Sequence, residues 1–173
     1  EVVRMLLESI YENSFEDTSH GFRPNKSCHT ALRMIQNRFT RCKWFVEGDI
    51  KGFFDNIDHN VMIGILRKRI KDERFLRLIR KFLNAGYMED NQVHQSYSGT
   101  PQGGIISPIL ANIYLDKFDK EFEGRGVKVI RYADDIILLA KSIRAAERLL
   151  GTSTAYLEKK LKLKVNTEKS RAV

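Results

Sequence analysis

The sequence predicts an α+β domain in which an antiparallel sheet carries helices on one face. Apolar, β-branched runs of strand length occur at Trp44–Ile50 and on both sides of the Tyr132–Asp135 centre. Segments with apolar residues at helical spacing fill most of the chain between and beyond them. The 173 residues are 42% hydrophobic and 30% charged, which describes one folded domain with a substantial core and excludes a disordered chain.

Taken in order, Val3, Leu6, Leu7, Ile10 and Tyr11 predict an amphipathic helix over residues 2 to 14. The turn-rich, basic stretch His20 to Ser27 follows. Cys28, Ala31, Leu32, Ile35 and Phe39 then predict a second helix, with Ser27 placed to cap it. Trp44 to Ile50 reads as a strand ending in the carboxylate of Asp49, and Lys51 to Asn56 as a tight aromatic turn. Residues 59 to 71 and 73 to 85 each show an apolar helical stripe. Met88 to Ser98 reads as a short hairpin turning at Asp90-Asn91.

In Ser98 to Pro108 the glycines let the backbone approach a ligand closely, with Gln102 as a polar side chain between them. Ser107-Pro108 marks a helix start, Ser107 as cap and Pro108 as the first helical residue. Ile109, Leu110, Ile113, Tyr114 and Phe118 make that helix's apolar face. Val129 to Leu139 reads as two buried strands with Asp134 and Asp135 at the hairpin tip. A long helix from Ala145 to Leu161 should cover the sheet, and a last strand should begin near Leu163-Lys164-Val165.

The net charge of +8 and pI near 9.5 favour a polyanionic partner such as nucleic acid. Arg67 to Lys81 holds eight basic residues against Asp72 and Glu73, and so carries most of that charge. It reads equally as a solvated face or as a phosphate-binding surface. Arg23, Lys26, Arg33, Arg38, Arg41 and Lys43 could also touch phosphates, although a solvated face is the preferred reading for most of them. Cys28 and Cys42 lack metal-ligand spacing and read as buried free thiols, which suits a reducing compartment; the expected place is the cytoplasm, a bacterial cytosol or nucleoid, with an organelle as the alternative. The four histidines are scattered and suggest no zinc site. No run approaches a membrane span and no signal peptide opens the chain, so no membrane partner is expected.

Two adjacent carboxylates on stiff strands repel each other, and a divalent cation between them removes that cost. Asp134 and Asp135 therefore point to a hard-cation site whose oxygen ligands suit Mg²⁺, against the alternative of a solvated hairpin tip. Asp49 at the end of another strand would join them if the two strands lie side by side. Two metals ~3.5–4 Å apart would then stabilise the attacking and leaving oxygens of a phosphoryl transfer.

Five stretches resemble, in order and spacing, the fingers–palm region of reverse transcriptases, most closely those encoded by group II introns. They are Gly21-Phe22-Arg23-Pro24 with Ser27 to Leu32, Gly48 to His59, Thr100 to Asn112, Tyr132-Ala133-Asp134-Asp135, and Asn166 to Lys169. The resemblance covers nearly the whole chain. It implies a polymerase palm-type antiparallel sheet over residues 44–173 with inserted helices, and part of the fingers over 1–43.

The resemblance also implies roles. Asp49, Asp134, Asp135 and the carbonyl of Ile50 would ligate two Mg²⁺ ions, and Lys169 would sit near the leaving pyrophosphate. Phe54 would lie under the sugar and exclude a 2′-hydroxyl, while Gln102 and Gly103 would contact the incoming nucleotide. The expected activity is RNA-directed DNA polymerisation from an RNA template, a DNA primer and dNTPs, with intron RNA as a further partner. The alternatives are a maturase, an RNA-binding splicing cofactor in which polymerisation is secondary, or a retron, diversity-generating or CRISPR-associated relative. The family's basic fingers segment should precede Glu1 and its thumb should follow Val173, so the chain reads as a piece of a longer protein.

Overall fold

The structure is a computed structural model that describes residues 1–40, 42–85, 87–89, 92–94, 98–100 and 104–173, with the backbone alone for 87–89 and 92–94. Six α-helices are described: α1 (Val2–Tyr11), α2 (Cys28–Arg38), α3 (His59–Arg67), α4 (Glu73–Asn84), α5 (Ser107–Gly124) and α6 (Ile143–Lys159). The strands are β1 (Trp44–Gly48), β2 (Tyr87–Glu89), β3 (Gln92–His94), β4 (Lys128–Tyr132), β5 (Asp135–Ala140) and β6 (Arg171–Ala172). The main sheet runs β4-β5-β1-β6 with every pairing antiparallel, and β2 and β3 form a separate antiparallel pair. This is the α+β architecture the sequence predicts. Among the described residues no helix is long and apolar enough to cross a membrane.

The alternation of β5 explains how the sheet is covered. Ile136, Leu138 and Ala140 join the main core with Val46 and Val129, into which α5 sends Leu110, Tyr114, Phe118 and Phe122 and α6 sends Ala146 and Leu157. Ile137 and Leu139, one residue out of phase, face the other way with Ile130 and Phe45. There Ala31, Met34 and Ile35 of α2 close a smaller cluster. Helices α5 and α6 thus share one face, while α2, in the segment expected to be fingers, covers part of the other.

Helix starts follow their caps. Ser27 and Thr30 form a reciprocal capping box at α2, and Asp58, Asp72 and Ser142 cap α3, α4 and α6. At α5 the expectation is corrected: Ile106 is the cap, Ser107 is already helical, and Pro108 is tolerated within the first turn because its missing N–H has no helical partner there. The final strand also differs from expectation. Val165 makes one bridge to Ile50, whereas the pairing strand is β6 on the edge beside β1. Cys28, expected buried, is exposed at the start of α2, and Cys42 is buried. The Asp90-Asn91 turn lies outside the described residues.

Candidate active site

Asp49 is placed by the sheet and held by Asn166 and Ser170. β1 pairs with β5 through Gly48 opposite Ile136, so one step further brings Asp49 and Asp135 to neighbouring strand ends. The Asp49 carbonyl accepts from the Asn166 amide at 2.9 Å, and its amide donates to Ser170 Oγ at 3.1 Å. Lys51 N donates to Lys164 O at 2.8 Å. The Ile50–Val165 bridge between these bonds is therefore of the non-hydrogen-bonded kind, and it leaves the Ile50 carbonyl out of this ladder.

The hairpin that carries the other two carboxylates turns one residue earlier than the sequence suggests. Tyr132 pairs with Asp135, so the two-residue tip is Ala133-Asp134, and Asp135 is the first residue of β5. Ala133 takes a φ of +55°, a conformation unusual for a residue with a Cβ. Gly21 abuts it so closely that a Cβ there would stand 2.2 Å from Ala133 N. A Cβ there can be accommodated only if the Ala133 backbone shifts.

Beneath the tip lies Arg131, which is fully buried. Its Nε and Nη2 bond Asp119 at 2.7–3.0 Å, Nη1 reaches Asn112 Oδ1 at 3.0 Å and Ala133 O at 2.7 Å, and Nη2 reaches Ser19 Oγ at 2.7 Å. Asn112 in turn donates to Gly21 O at 2.8 Å. The Thr18–His20 segment covers the outer edge of β4 through Arg131 N to Thr18 O and His20 N to Arg131 O. Sequence reading missed Arg131, Asp119 and Ser19. An arginine inside an apolar strand, with an aspartate twelve residues earlier on a helix, was the available signal.

Asp135 feels the cluster electrostatically. Partial withdrawal from solvent, then the charges of Asp134, Asp49 and Glu47, push its carboxyl above the usual carboxylate range, while Lys169 pulls the other way. That ordering brings Asp49, Asp134, Asp135 and Lys169 into one field. Among the described residues no set of three or more His, Cys, Asp or Glu side chains closes into a metal-binding group. The donors nonetheless suit a hard cation: all are oxygens, their mutual repulsion is opposed by one lysine, and Mg²⁺ completes its shell with water and substrate phosphates.

The aromatic turn after Asp49 is a 3₁₀ helix over Phe53–Asn56, not extended chain, with Gly52 at φ +54° before it. Phe53 is buried in the core; Phe54 is half-buried, with its ring edge-on to Phe53 and to the exposed Phe22. Residues 98–100 dock on this turn. Thr100 N donates to Phe54 O at 2.7 Å, Gly99 N to Ile57 O at 2.8 Å, and His59 Nε2 lies 2.7 Å from Gly99 O. Gln102 and Gly103 lie outside the described residues, as does Arg41.

Of the basic residues considered for phosphates, Arg23 turns inward to Glu12 and to the carbonyls of Glu16 and Ser19, and Arg38 pairs with Glu123. Along α3, α4 and the link between them all eight basic residues are exposed. Arg67 pairs with Glu73, and Arg69 lies over the Tyr11 ring.

The whole chain, residues 1–173, matches the family described as reverse transcriptase (RNA-dependent DNA polymerase). It belongs to the reverse transcriptase family. Over 120 residues, 69% of this chain and 20% of the relative, it is 63% identical to group II intron-encoded protein LtrA of Lactococcus lactis subsp. cremoris. Over 126 residues, 72% of this chain and 15% of the relative, it is 49% identical to the putative COX1/OXI3 intron 2 protein of Saccharomyces cerevisiae. Among solved structures, a telomerase from Candida albicans superimposes with a TM-score of 0.72 at 14% identity, covering 99% of this chain and 34% of that one, a likeness of fold. This reverse transcriptase domain thus spans a fifth or less of the intron proteins it matches. Reverse transcriptases generally use Mg²⁺.

Proposed function

We propose that the chain is the polymerising part of a group II intron-type reverse transcriptase, adding dNTPs to a DNA primer on an RNA template. The observation that supports this reading is the placement of Asp49 and Asp135 at neighbouring strand ends, with Asp134 in the adjoining hairpin tip and the charges of Asp134, Asp49 and Lys169 all felt by Asp135. Pure RNA binding gains nothing from gathering three carboxylates whose repulsion has to be offset. Asp49, Asp134, Asp135 and the Ile50 carbonyl would hold two Mg²⁺ ions, which when bound supply charge neutralisation for the triphosphate and acidify the primer's 3′-hydroxyl.

The chain's own groups do the positioning. The Asn166 and Ser170 bonds fix the backbone of Asp49, and the Tyr132–Asp135 pair fixes the hairpin. Lys169 offsets negative charge on the departing pyrophosphate. Phe54 sits under the sugar, with Gln102 and Gly103 against the incoming nucleotide. Intron RNA is the further partner we propose, from the relatives' names and from the exposed basic residues of α3 and α4.

Primer extension by the full-length protein tests the reading. Asp134→Ala should abolish extension on an RNA template while the variant keeps its unfolding temperature and its primer–template affinity. Extension near the unaltered rate would end the two-metal assignment.

A further inference from the structure

The hairpin tip is unusual in being gripped from two sides by groups that carry no catalytic atoms. From below, Arg131 Nη1 holds the Ala133 carbonyl at 2.7 Å. The same guanidinium is fixed by Asp119 and Asn112 on α5 and by Ser19 on the segment that borders β4. From outside, Gly21 presses its backbone against Ala133, and Asn112 fixes the Gly21 carbonyl at 2.8 Å. Between these two contacts Ala133 is kept at a positive φ, and Asp134 is the next residue. A two-residue turn has few ways to move: the φ and ψ of Ala133 set the direction in which the Asp134 carboxylate leaves the sheet.

We infer that Arg131 and Gly21 are positioning residues for the carboxylate site. They lock the Ala133 peptide, so that Asp134 is aimed at Asp49 and Asp135 before any substrate arrives. The inference rests on the proposed metal-dependent polymerase reading and goes beyond it in one respect. It makes the aim of a palm carboxylate depend on residues 19–21, from the segment expected to be fingers. The alternative account of Arg131 is a buried ion pair that only holds the fold together. A buried guanidinium has to satisfy all five of its N–H donors, so the bond to the tip carbonyl by itself fits both accounts; the close approach of Gly21 to the same residue from the other side favours positioning.

Two changes in the full-length protein separate these accounts. Arg131→Lys keeps the buried positive charge opposite Asp119, but one ammonium cannot hold Asp119, Asn112, Ser19 and the tip carbonyl together. Gly21→Ala removes no donor or acceptor of the network and pushes first on Ala133, whose N, Cα and Cβ are the nearest atoms. Mn²⁺, which accepts the same oxygen ligands, is the probe. Its binding is followed by electron paramagnetic resonance with primer–template bound and no dNTP present, beside extension rate, primer–template affinity and unfolding temperature.

Both variants should bind Mn²⁺ about 10–100-fold more weakly, the range seen when groups that orient metal ligands are removed, and extension should fall with it. Primer–template affinity should stay as it was. Mn²⁺ affinity equal to that of the unaltered protein would overturn the inference, as would a parallel loss of Mn²⁺ and primer–template binding. If Arg131→Lys does not fold, Gly21→Ala decides by the same criteria. Should Asp134→Ala leave extension intact, the underlying polymerase reading fails. Should Asp134→Ala abolish extension while Gly21→Ala leaves Mn²⁺ affinity unchanged, the positioning inference alone fails.

Discussion

At the scale of single residues, Phe53 and Phe54 show how little separates a core ring from a half-exposed one. They are adjacent and edge-on at 5.3 Å, yet Phe53 is 2% exposed while Phe54 is half-buried and faces Phe22. Alternation along a strand cannot account for this, because the backbone here is a 3₁₀ helix whose successive side chains diverge around an axis. Phe54→Ala in the full-length protein should let ribonucleotides in, since a rigid ring is what would exclude a 2′-hydroxyl. Phe53→Ala should instead cost roughly 3–5 kcal/mol of stability by leaving a cavity. The ratio of kcat/KM for deoxy- and ribonucleotides checks the assignment; relaxation by Phe53→Ala alone would mean that the other ring lines the sugar. The carboxylates were legible because a strand end and a hairpin tip are local features. Arg131 was not, because its partners are 12, 19 and 112 residues away and only folding gathers them.

At the scale of elements, α3 and α4 combine a core stripe with a charged face. Leu76, Ile79 and Leu83 of α4 are buried, while Arg74, Arg77, Arg80 and Lys81 stand in solvent. The Arg67–Glu73 pair is itself exposed, and such surface pairs contribute little to stability. These helices therefore fold for apolar reasons, which leaves their cations available to phosphates. Neutralising Arg74, Arg77 and Lys81 together should weaken RNA binding and flatten its salt dependence. The slope of log K against log salt should fall by roughly 0.7–0.9 for each phosphate that the variant no longer neutralises. A slope identical to that of the unaltered protein would show that this face touches only water. The positions of α2, α3 and α4 were readable from helical spacing and caps. The weak strand β6 was not, since two residues give no periodicity and only the free edge of β1 selects them.

At the scale of the whole molecule, stability should fall in acid through His20, which joins the segment beside β4 to α2. Its ring nitrogens meet Thr30 Oγ1 at 2.8 Å and Met34 Sδ at 3.4 Å, and it is 1% exposed. Burial, then the charges of Lys26, Arg23 and Arg38 against that of Asp17, push its pKa down to about 4 from an ordinary 6.5. A depressed folded-state pKa means the unfolded chain binds the proton more readily. This contribution is accordingly complete above pH 6.5 and is lost as the pH falls toward 4, on the order of 3 kcal/mol in all. Urea unfolding at pH 7, 5.5 and 4.5 should show the loss, and His20→Gln should remove that part of the slope. An unchanged slope in the variant would assign the acid sensitivity to other groups.

By itself the sequence determined the fold class, the family and most helix boundaries, and it singled out the three carboxylates as candidates. Each follows from periodicity, capping or a short motif, and these are signals carried by neighbouring residues. Only the tertiary structure decided that the hairpin turns at Ala133-Asp134, that α2 covers the second face of the sheet, and that Ser170 and Asn166 hold Asp49. It also decided that a buried guanidinium lies under the tip. These depend on strand register and on contacts distant in sequence. A shift of one residue in register turns a strand's side chains to the opposite face, and no local pattern records which partner will close a buried charge.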